Sequence, residues 1–89
     1  MANIKSQIKR NRQNEAARQR NQAVRSEMRT RVRQALEAAE AGDADEARLK
    51  MREAQSRIDS AVAKGVLHAR TAARRKARLE RRIADALSA

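Results

Sequence analysis

Most side chains in this sequence that could do chemistry are cations. Lys5, Lys9, Arg10, Arg12, Arg18 and Arg20 crowd residues 1–20, with Arg25 and Arg29 farther along. A second array holds Arg70, Arg74, Arg75, Lys76, Arg78 and Arg82. Such groups replace the counterions condensed on a polyphosphate backbone. Residues suited to covalent work are isolated by comparison. Ser6 and Thr71 have no base partner to activate a hydroxyl. His68 is the single histidine, whereas a metal site gathers several His, Cys or carboxylate ligands; a lone His at a helix start is a cap or a hydrogen-bonding contact. Glu37, Glu40, Asp43, Asp45 and Glu46 lack the spacing of a Ca²⁺ loop. They suit a helix junction, where carboxylates meet the dipole and neighbouring arginines. These residues predict a binding protein, not an enzyme, with no metal, no cofactor and no small-molecule substrate.

The two cationic tracts differ in pattern. The first, IKSQIKRNRQNEAARQRN, sets its charges all round a helix, and its large apolar residues after Met1 are Ile4 and Ile8. A membrane-surface helix would segregate its faces and carry more Trp, Phe or Leu. Charge on every side suits a groove or junction walled by phosphates. Asn3, Gln7, Asn11, Gln13, Asn14, Gln19, Asn21 and Gln22 add donors and acceptors for sugars and base edges. Free of such a partner, this tract is expected to be a solvated, partly disordered tail that a polyanion orders. In the second tract Arg70, Arg74, Arg78 and Arg81 fall at steps of four, four and three, with Arg75 and Arg82 alongside. Like charges at i,i+4 cost a helix a few tenths of a kcal/mol each. With Glu80 and Asp85 as the acids nearby, that repeated cost points to a polyanion.

Composition fits the same reading. The chain has 89 residues, room for one domain, and a formal net charge of +11. Twenty alanines and sixteen larger aliphatic residues, with no Phe, Tyr or Trp, predict a thin core and marginal stability alone. Without aromatic rings the chain cannot stack single-stranded bases as the common modules do. Folded RNA or duplex, read by shape and backbone, is the fitting class. Cysteine is absent, so there are neither disulfides nor thiolate metal sites. No apolar run approaches the ~20 residues of a membrane span, and MANIKSQIKRNRQNE lacks the apolar stretch of a secretory signal. The expectation is a soluble, cytoplasmic protein with no membrane partner.

With no proline, two glycines punctuate the chain. Gly42 suits the left-handed position past a helix end, with Asp43 and Glu46 forming a variant capping box. Gly65 followed by Val66 resembles a Schellman end folded back on Ala61. The expected helices are 4–41, 44–64 and 67–87. Heptad-like seams run through Val24, Met28, Val32, Leu36 and Ala39, through Ala47, Met51, Ala54, Ile58 and Ala61, and through Ala69, Ala72, Lys76, Leu79, Ile83 and Ala86. Lys76 interrupts its seam, so its stem snorkels or the stripe shifts by one position. The fold class is all-α: a three-helix up-down-up bundle whose long first helix overhangs with its N-terminal half. Residues 1–20 form a basic extension and 21–89 the bundle of one helical RNA-binding domain. Residues 1–33 hold ten basic and two acidic groups, 34–63 four and seven, and 64–89 eight and two. Parallel first and third helices then turn both basic tracts to one side.

The opening MANIKSQIKRNRQNE and the later KGVLHARTAARRKARL resemble the bacterial small-subunit ribosomal protein S-twenty family, over essentially the whole chain. The resemblance implies a three-helix bundle that binds the 5′ domain of 16S ribosomal RNA and its long penultimate helix. It implies an early-binding structural role in the small ribosomal subunit, without catalysis. The positions that match are Lys5, Ser6, Lys9, Arg10, Asn11 and Arg12, then His68, Arg74, Lys76 and Arg78. Arg70 stands where the family more often has Asn, and Ala77 where Ser is common; Arg70 retains the ability to meet phosphate. On composition alone a histone-like DNA-compacting protein is the alternative, and a partner-binding helical module comes third.

Overall fold

The computed structural model describes residues 2–88, which form three helices: α1 (Ala2–Glu40), α2 (Ala44–Ala63) and α3 (Ala69–Ser88). Both junctions are built by the glycines. Gly42 and Gly65 have φ of +81° and +74°. At the first, the Gly42 N–H donates to the Ala39 carbonyl and the Asp43 N–H to that of Ala38. At the second, Gly65 donates to Val62 and Val66 to Ala61. Each pair is a Schellman motif, which satisfies carbonyls a helix end would leave orphaned. Asp43 then opens α2, its carboxylate accepting from the Glu46 N–H at 3.1 Å. A Cβ at position 65 would meet nothing within 4 Å, so a substitution there reports the backbone alone. Gly65→Ala is expected to cost about 1–2 kcal/mol, the penalty of a left-handed L-residue. Urea unfolding followed by helical circular dichroism checks it.

The core has two ends of different texture. Near the α2–α3 link, Met28, Ile58, Ala61, Val66, Leu67 and Ala72 pack together. Toward the α1–α2 turn, Ala35, Ala39, Ala47 and Ala54 are fully covered, and Leu79 and Ile83 from α3 lie over them. Alanine faces permit close approach of α1 and α2, since interaxial distance depends on the side chains at the contact. Met28 sharing one cluster with Ala72, and Ala39 sharing the other with Ile83, sets α3 parallel to α1 and gives the up-down-up order.

Several expectations shift. α3 starts at Ala69, not at residue 67, because Val66 and Leu67 turn inward from the link and fill the core end. His68 caps the helix instead, its Nδ1 accepting from the Arg70 N–H at 3.1 Å. Ala69, expected in the seam, is exposed; the space it would fill is taken by Leu67. Ala35 joins the first seam beside Val32 and Leu36, which are half-buried. Lys76 snorkels: its stem is half-buried and its Nζ reaches Asp59 Oδ1 at 2.8 Å.

From Asn3 to Ala23 no residue is buried, and the first contact with the core is at Val24. This overhang stretches the molecule to 65 × 22 × 15 Å. It is helical back to Ala2. The packed half supplies the costly nucleus, so each further residue adds a backbone bond by propagation alone.

Candidate nucleic-acid interface

Carboxylates are spent on the inner sides of the bundle. Between α1 and α2, Arg57 meets Glu27 and Arg31 meets Glu53, both at 3.2 Å. Between α2 and α3, Lys76 meets Asp59, and Gln55 donates to Glu80 at 2.7 Å. These bridges lie on the α2-facing side of α3, one turn apart at Lys76 and Glu80. The middle helix, with four acids against four bases, carries no net charge and exchanges ion pairs with both neighbours, so the cationic excess lies on α1 and α3.

The expected binding residues sort into three groups. Lys5, Lys9, Arg10, Arg12 and Arg20 stand exposed on the overhang with no carboxylate within 4.0 Å; Arg18 pairs with Glu15 at 2.7 Å. Ser6 and Asn11 are exposed among them. Farther along, Arg25 turns back to the link and donates to the Val66 carbonyl at 3.1 Å. This bond ties α1 to the α2–α3 link. The third group is on α3. Arg70, Arg74, Arg75, Arg78 and Arg82 are exposed and free of carboxylate partners, while Lys76 is held by Asp59 and His68 by its capping bond.

Arg29 of α1 and Arg75, Arg78 and Arg82 of α3 line one groove between the two parallel helices. Steps of three and four keep the α3 arginines on the flank facing α1, whereas Arg74 and Arg81 lie away from the groove. Arg33 lines the same groove and was missed in the sequence, where Glu37 four residues on marks it as an ordinary surface pair; the two are 3.7 Å apart. Its signal was its step of four from Arg29 beside the Val32–Leu36 stripe. Among the described residues no group of three His, Asp or Glu could hold a metal ion, and no helix is long and apolar enough to cross a membrane.

A family described as Ribosomal protein S20 matches residues 2–84. The chain belongs to that family. The resemblance carried by the opening residues and the α3 segment is thus borne out. It is 54% identical to the small ribosomal subunit protein bS20 of Salinispora tropica over 96% of this chain and 97% of the relative. The bS20 of Streptomyces griseus is 51% identical with the same coverage. That of Corynebacterium glutamicum is 56% identical over 89% of this chain and 91% of the relative. The bS20 family is one of ribosomal structural proteins, not of enzymes, which agrees with a site made of cations, amides and one capping histidine.

Proposed function

We propose that the chain is a constituent of the small ribosomal subunit that binds 16S ribosomal RNA directly and stabilises its fold during assembly, acting in the cytoplasm on the ribosome. The observation carrying this reading is the uneven neutralisation of charge. Cations facing α2 meet acids, while most of those on the overhang and along the α1/α3 groove, Arg18 and Arg33 excepted, have no ion-pair partner among the described residues. Self-repulsion of this kind is relieved by a polyanion. The overhang, exposed on all sides, enters between phosphates of converging RNA elements, and Lys5, Lys9, Arg10, Arg12 and Arg20 hold them there. Ser6 and Asn11 meet sugars and base edges. The exposed α3 arginines Arg70, Arg74, Arg75, Arg78 and Arg82, together with Arg29 of α1, meet a second element. The two elements are the 5′ domain and the long penultimate helix of 16S RNA. Residues 1–20 act as the extension and 21–89 as the bundle of a single RNA-binding domain.

Titration of the full chain with 16S RNA at a series of salt concentrations tests the proposal. With ~6–10 phosphate contacts, log K falls against log salt with a slope of roughly −4 to −9. A flat slope removes phosphate binding altogether. Equal affinity for duplex DNA of the same length at moderate salt leaves a DNA-compacting protein in its place.

A further inference from the structure

The groove between α1 and α3 has a floor unlike its rims. Met28 and Leu79 are buried at its base, and Val32 and Leu36 are half-buried along it. Five guanidinium groups stand on the two banks, and of these only Arg33 has a carboxylate within 4.0 Å. A continuous RNA backbone needs cations but no apolar floor. A base removed from its stack needs both, because its faces are apolar and its phosphates remain charged. Such bases stack on aromatic rings or on the planes of arginines, and in a chain without Phe, Tyr or Trp arginine supplies the planes.

We propose that the α1/α3 groove receives the base of one unpaired nucleotide, with the flanking phosphates held by the arginines on its banks. This deepens the RNA-binding reading above and rests on it. The groove has a direction. Glu37 and Glu40 line it along with the arginines and sit at the α1 C-terminal end, so phosphates take the Arg29 and Arg75 end. A carboxylate accepts from the exocyclic amine of a base, and Glu40, with no cation within 4.0 Å, is free to do so. A partner helix with acidic flanks is the competing occupant. From Met28 to Glu40 such a helix would run about 18 Å, at 1.5 Å per residue, and its carboxylates would meet Glu37 and Glu40.

The test is base-specific chemical probing of 16S RNA bound to the full chain, alongside hydroxyl-radical footprinting of the backbone. The wild type protects the base of one unpaired nucleotide. Val32→Lys puts a charged stem on the floor while raising the net positive charge. Simple phosphate binding predicts equal or tighter affinity for it. The proposal predicts that the base becomes reactive again and affinity falls about 5–10-fold, the lower part of the range for a stacked base. Arg75→Ala with Arg78→Ala, both at exposed positions, gives the same returned reactivity without touching the floor and serves if Val32→Lys does not fold. If backbone footprints persist but no unpaired base distinguishes wild type from variants, the groove proposal is overturned and the RNA reading stands. If the variants bind RNA normally yet enter subunits poorly once other proteins are present, the occupant is a protein and the proposal is likewise overturned. Absence of any wild-type footprint removes both.

Discussion

A chain lacking residues 1–20 melts within a few degrees of the full-length protein but binds 16S RNA roughly 100-fold or more weakly, and the slope of log K against log salt becomes shallower by about 5, at ~0.9 for each phosphate no longer neutralised. The two halves of that result have separate causes. No side chain from Asn3 to Ala23 is buried, so the deletion leaves the core intact. The new start falls at Asn21, a residue type favoured at helix N-caps, and α1 still packs from Val24 onward. Removed with the segment are Lys5, Lys9, Arg10, Arg12, Arg18 and Arg20, of which only Arg18 has an ion-pair partner among the described residues. Calorimetry of the truncated protein checks the first half and a salt titration the second. Collapse of the helical signal would show that the overhang supports the bundle.

Ile58→Ala acts in the opposite way. Ile58 is 1% exposed and packs with Met28 of α1, Val66 and Leu67 of the link, and Ala72 of α3. Among the described residues it is the largest fully buried side chain. Its truncation is expected to cost about 2–5 kcal/mol, transfer and cavity terms together, offset by the few tenths that alanine gains in helix propensity. Small domains hold about 5–15 kcal/mol in total, and a core this poor in large side chains belongs at the low end. The variant therefore has little stability left at 37 °C. Urea unfolding gives the loss directly, and a change under 1 kcal/mol would mean that the core closes around the gap. Since RNA binds only the folded form, saturating RNA restores part of the lost stability by mass action.

These two experiments separate what the sequence makes legible from what it hides. The helices, their order and the overhang follow from local signals: two glycines at left-handed positions, Asp43 as a cap, and seams of alternating three and four. Boundary errors occurred where tertiary packing competes with local pattern. Leu67 reads as the start of a helix, yet it is worth more as a core residue of the link, and Ala69 loses its seam position. Among the expected RNA ligands, charge alone could not tell a free cation from an occupied one. Lys76 is held by Asp59, seventeen residues away in sequence, and Arg25 by the Val66 carbonyl, forty-one residues away. Pairings of such separation have no sequence period. The groove was hidden for the same reason: its banks come from two helices with a third between them in the chain. Each bank alone looks like a solvated basic face.

Between Ala2 and Glu40 α1 contains neither glycine nor proline, two of the usual causes of a kink. The free cations of the overhang and those around the groove are mounted on one continuous helix, and in it their separation and relative angle follow from residue count. One residue added near position 22 would shift the outer set by about 1.5 Å and turn it by about 100° about the axis. The chain works as a gauge of length and of phase together, and a surface that fits one end of it is told where, and facing which way, the other must lie.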